Sequence, residues 1–131
     1  MNNTELITIS PLVLAYLGDT VYESYVREYL IKDCITKKVN DLHKTAIQYV
    51  NAKSQATIIH EIESELTEDE IRIYKRGRNQ KSNTTPKNAN LIDYKHATGF
   101  EALIGYLYLK EDRERLQYII YKGIAIVEEN M

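Results

Sequence analysis

Leu14-Ala15-Tyr16-Leu17-Gly18-Asp19-Thr20-Val21-Tyr22-Glu23 sets a single acid inside an apolar run that recurs every three to four residues. Leu14, Leu17, Val21, Tyr25 and Leu30 fall near a 3.6-residue period, which predicts a helix over 11–32. Ser10-Pro11 marks its start, a capping hydroxyl followed by proline at the first helical position. Asp19 lies among Leu14, Leu17, Val21 and Tyr22, where a solvated charge is not expected. A carboxylate held near a core is costly unless a cation or hydrogen bonds compensate it. Such an acid either pairs within the fold or helps to hold a hard cation.

Working outward, the same helical grammar continues. Asn40 or Asp41 is placed to cap a second helix bearing Leu42, Ala46, Ile47 and Val50, and Ala52 to Glu65 reads as a third through Ala56, Ile58, Ile59 and Ile62. Thr67-Glu68-Asp69-Glu70 is a capping box and opens a fourth helix, expected to end at Gly77. The tract from Gly77 to about Asn90 is rich in Asn, Ser and Thr and reads as an exposed loop. A fifth helix is predicted over about 91–110 and a sixth after Asp112, through Leu116, Ile119, Ile120, Ile124 and Val127. No alternating β-branched runs or Asn-Gly hairpins appear, so the expectation is an all-α bundle of about six helices.

The chain has 131 residues, 44% apolar and 27% charged, the range of one globular domain over 1–131. It has 11 Tyr, one Phe and no Trp, an aromatic set suited to half-buried positions and subunit faces. The single cysteine, Cys34, forms no internal disulfide and is expected as a small buried hydrophobe near a helix end. The first residues carry no secretion-signal pattern and no run spans a membrane, so the protein is expected in the cytoplasm.

Charge is segregated along the chain although the net charge is only −2. Acids crowd 61–70, whereas from Ile71 to Ile92 there is none, and Lys75, Arg76, Arg78, Lys81 and Lys87 make that tract basic. It is either a solvated loop or a footprint for phosphates. A second acid-in-helix segment, Gly99-Phe100-Glu101-Ala102-Leu103-Ile104-Gly105, follows it. Two carboxylates, Asp19 and Glu101, on two apolar helices point to a site for a divalent cation such as Mg²⁺. His60 and His96 stand isolated in sequence and read as structural.

These segments resemble a known family. Leu17-Gly18-Asp19-Thr20-Val21-Tyr22-Glu23 is similar to the signature of the ribonuclease III catalytic domain, and Phe100-Glu101-Ala102-Leu103-Ile104-Gly105 to its second acidic motif. Asn40-Asp41-Leu42-His43-Lys44, Ala52-Lys53-Ser54-Gln55-Ala56, Lys75-Arg76-Gly77-Arg78-Asn79 and Thr84-Thr85-Pro86-Lys87-Asn88 resemble the small bacterial branch, Mini-ribonuclease III, which lacks a double-stranded RNA-binding domain. The resemblance implies a homodimeric, Mg²⁺-dependent endonuclease that cuts double-stranded RNA, and for this branch the precursor of 23S ribosomal RNA. By position, Asp19 and Glu101 take the catalytic and metal-binding roles, and Tyr16 the place of an aromatic that docks into the partner subunit. Arg76, Arg78, Lys81 and Lys87 are then expected to grip RNA phosphates, with His43, Lys44 and Lys53 as further contacts. The larger enzymes carry additional acids where this chain has Ala15 and Thr98. The number of ions is therefore open, and a non-cutting helical RNA-binding dimer is the alternative. Whether a ribosomal-protein helper takes part is left open too.

Overall fold

The computed structural model describes residues 1–81 and 90–131. Seven α-helices account for most of them: α1 (Asn3–Thr8), α2 (Pro11–Asp33), α3 (Val39–Val50), α4 (Ala52–Ile62), α5 (Glu68–Arg78), α6 (Leu91–Leu109) and α7 (Arg113–Glu129). A single 3-10 turn, Glu63–Glu65, closes α4, and no strand occurs among the described residues. The all-α expectation holds.

Local chemistry accounts for most of the boundaries. Asn51 accepts from the Ser54 amide at the start of α4, Asn90 from those of Ile92 and Asp93 at the start of α6, and Asp112 from that of Arg115 at the start of α7. Thr67 and Glu70 form both bonds of the capping box on α5. Elsewhere the expectation needs correction. Ser10 precedes Pro11 at the start of α2, yet its hydroxyl makes no cap bond; Pro11, with its fixed φ at the first helical position, is the start signal that holds. α3 starts at Val39, one turn's edge before Asn40 and Asp41, with Lys38 at its cap and Asp41 inside the first turn. α1 was not legible, being short and only weakly periodic. Cys34 is half-buried at the end of α2, its sulfur 3.4 Å from the Thr36 hydroxyl. Gly77 does not end α5: it lies buried against Gly99 and Ala102 of α6, and that packing overrides its poor helix propensity of about 1 kcal/mol.

α6 is the centre of the bundle. From Phe100 it is apolar on nearly every side, with Ala102, Leu103, Ile104, Gly105, Tyr106 and Leu107 all buried, and α2, α4, α5 and α7 pack around it. Tyr22 meets Phe100 edge to face, ring centres 5.2 Å apart, and its hydroxyl donates to the Tyr49 carbonyl at 3.0 Å. Glu70, 4% exposed, receives Arg115 at 2.9 Å and ties α5 to α7. Burial pushes the Glu70 carboxyl up, but the Arg115 bonds and the Thr67 amide outweigh it and hold the group below the usual range. Tyr29 and Tyr49 both donate to Glu128, at 2.8 and 2.9 Å, fastening the end of α7 to α2 and α3.

Candidate active site

The site forms where α2 crosses α6. A side chain on Gly18 would run into the backbone carbonyl of Glu101, and one on Gly105 into that of Leu14. With glycine on both helices the backbones touch. Asp19 is next to one of these glycines, and Glu101 lies one turn before the other. The crossing brings their carboxyl groups within hydrogen-bonding reach of each other, although 82 residues separate them in the chain. Asp19 is exposed and Glu101 half-buried, so the pair opens at the surface with one member rooted in the core.

Without a counter-charge this pairing is strained electrostatically. Burial first, then the charge of Asp19 and a hydrogen bond to it, push the Glu101 carboxyl up to about 8, against the opposing pull of the Gln55 amide. Gln55, on α4, is 2% exposed. Its Nε2 donates to the Val50 carbonyl at 2.9 Å and reaches Glu101 Oε2 at 3.4 Å. Its Oε1 is buried with no hydrogen-bond partner among the described residues. A hard divalent ion fits this set, since every donor is an oxygen and a positive charge would relieve the crowded carboxylates. Asp19 and Glu101 are the groups that could hold it. Ala15 is buried, and the Thr98 hydroxyl donates to the Tyr94 carbonyl of its own helix at 2.9 Å. No group of three or more His, Cys, Asp or Glu that could hold a metal occurs among the described residues.

Of the other expected residues, Tyr16 shares α2 with Asp19, and Arg76 and Arg78 stand at the end of α5. Tyr16, one turn before Asp19 on α2, is 82% exposed and shares its face with exposed Leu12 and Val13. Arg76 donates to the Ile7 carbonyl at 2.9 Å, holding the end of α1, so part of its guanidinium serves the fold. Arg78 lies over the Tyr74 ring, 5.5 Å from its centre, and donates to the Asn79 side chain at 3.0 Å. Lys81 is exposed, and Lys87 lies outside the described residues. His60 and His96 are not isolated: their rings are 4.6 Å apart, and His96 Nδ1 is 2.5 Å from the Tyr74 hydroxyl. That cluster joins α4, α5 and α6 and was invisible in sequence, since its members are spread over 37 residues. In the sequence Gln55 stands out only as part of the 52–56 motif. The signal was there: it falls on the face of α4 that carries Ile58, Ile59 and Ile62, where a polar residue needs a reason.

The model of the ribonuclease III domain matches residues 12–112. The Mini-ribonuclease 3 of Clostridium tetani is 51% identical over 96% of this chain and 83% of its own length. That of Thermoanaerobacter is 47% identical over 98% of this chain and 94% of its own length. The chain belongs to the ribonuclease III family, in its Mini-ribonuclease 3 branch. A crystal structure of a protein from Fusobacterium nucleatum superposes with a TM-score of 0.82 at 33% identity, covering 95% of this chain and 96% of that one. As a member of the family the protein is a ribonuclease, and the resemblance read from the six stretches is borne out.

Proposed function

We propose that the protein is an endonuclease that cuts double-stranded RNA with the help of Mg²⁺, and that Asp19 and Glu101 hold the ion. The carboxyl pair at the α2–α6 crossing carries this reading, because the Gln55 amide offsets its crowding only in part. Mg²⁺ supplies an activated water and charge neutralisation at the scissile phosphate. Asp19, at the open edge, is the group suited to orient the attacking water and take its proton. Glu101, fixed by burial and by Gln55, provides the immobile side of the site. Two carboxylates per subunit support one ion, since Ala15 and Thr98 add no free oxygen.

The exposed apolar face of Leu12, Val13 and Tyr16 supports a homodimer, each subunit cutting one strand of the duplex. Arg78 and Lys81, with Arg76 in part, are suited to contact the phosphates of A-form RNA, which proteins read mainly by shape and backbone. The substrate we assign is precursor 23S ribosomal RNA in the cytoplasm. The test is a precursor transcript carrying the paired 23S termini, incubated with Mg²⁺, without it, and with EDTA, for the parent and Asp19→Asn. Mg²⁺-dependent cuts at the mature ends in the parent alone are expected. Cutting that survives EDTA, or a fully active Asp19→Asn, would refute the assignment, and cuts confined to unrelated duplexes would remove the 23S substrate only.

A further inference from the structure

Among the described residues, Gln55 is the one buried side chain near the carboxyl pair whose bonding is incomplete. Its donor end is fixed: Nε2 faces the Val50 carbonyl at 2.9 Å and Glu101 Oε2 at 3.4 Å. Turning the amide over would set Oε1 against two other acceptors, so the orientation has no alternative. Oε1 is thus left buried, without a donor from the described residues. Amide geometry keeps that oxygen within about 6 Å of Glu101 Oε2. A buried acceptor at this depth costs stability unless something supplies a proton to it. Nothing on α4 or α6 does, and the residues that share the face of Gln55 are aliphatic: Ile58, Ile59 and Ile62.

A Mg²⁺ ion retains several waters, and those waters are strong donors. We infer that Gln55 is a positioning residue of the cation site: its N–H steadies the Glu101 carboxylate, and its unpartnered carbonyl accepts from the hydration shell of the ion. This rests on the metal-dependent reading above and deepens it. It gives the chain a neutral oxygen beside the two acids, at a site where Ala15 and Thr98 offer none. The amide also has the right charge: a third acid would crowd Asp19 and Glu101 further before any ion arrives.

The inference is tested without RNA and without turnover. Mn²⁺, which takes the same oxygen ligands, is titrated into the parent, Glu101→Gln and Gln55→Met, and free ion is followed by its paramagnetic resonance signal. Glu101→Gln is expected to lose saturable binding. Gln55→Met, which fills the same volume with no polar atom, should raise the Kd by about tenfold or more, as loss of a partner behind a ligand commonly does, while melting no lower than the parent without metal. A Gln55→Met isotherm that overlays the parent overturns the inference and leaves the metal reading intact. No saturable binding by the parent removes the metal reading and this inference with it. Should Gln55→Met fail to fold, the parent decides: its Gln55 side-chain amide resonance should shift on saturation with Mg²⁺, and a signal that stays put overturns the role.

Discussion

Asp19 and Glu101 were legible as a pair of acids out of place, because an apolar helical run rarely admits a charge without a use for it. Their partner Gln55 was not, since a neutral amide in a helix raises no alarm until burial is known. The raised Glu101 carboxyl makes a prediction with a definite sign. An acid whose folded pKa, about 8, exceeds its unfolded value of 4.5 binds more protons when folded between those limits. The contribution of Glu101 to the stability of the metal-free protein is therefore present in full below pH 4.5 and is lost as pH rises toward 8. Other groups titrate as well, so the quantity to measure is the difference between the parent and Glu101→Gln. That difference should widen in favour of the mutant from pH 5 to pH 8 in chelator and shrink with added Mg²⁺. Parallel melting curves across the range would show that Glu101 is ionised without cost.

The helices themselves were the more readable scale. The capping box at Thr67 and the cap at Asp112 announced two of them, and the 3.6-residue pattern announced the rest except α1, whose six residues are too few to show a period. What the pattern could not show is where one element presses on another, so Gly77 read as an end when it is a point of contact with α6. The same applies to Gly18. Gly18→Ala is expected to cost about 3 kcal/mol, the upper range for forcing atoms into a packed interface, because its Cβ meets the backbone of Glu101 and not a movable side chain. Denaturant unfolding measures the cost, and cutting should fall by more than the lost population of folded protein explains. A variant as stable and active as the parent would mean that the helices separate freely.

At the scale of the whole molecule, the exposed face of α2 and the basic end of α5 make separate predictions. Tyr16→Glu puts a charge where an apolar contact between subunits is proposed, and should shift sedimentation from dimer to monomer with little change in the subunit's own unfolding. An unchanged dimer moves the interface elsewhere. Arg78→Gln should weaken binding to duplex RNA about equally for all sequences and flatten its salt dependence by roughly one phosphate contact, read from binding at several ionic strengths. An unaltered slope would release Arg78 from that duty. One feature reaches further than any single substitution. Because main chain lies on main chain at Gly18 and Gly105, the gap between the two acids is set by covalent dimensions and not by the choice of neighbouring aliphatic groups. The aliphatic interior formed by α4, α5 and α7 is thus open to redesign, and such repacked proteins should still cut as long as those two glycines and Gln55 are spared.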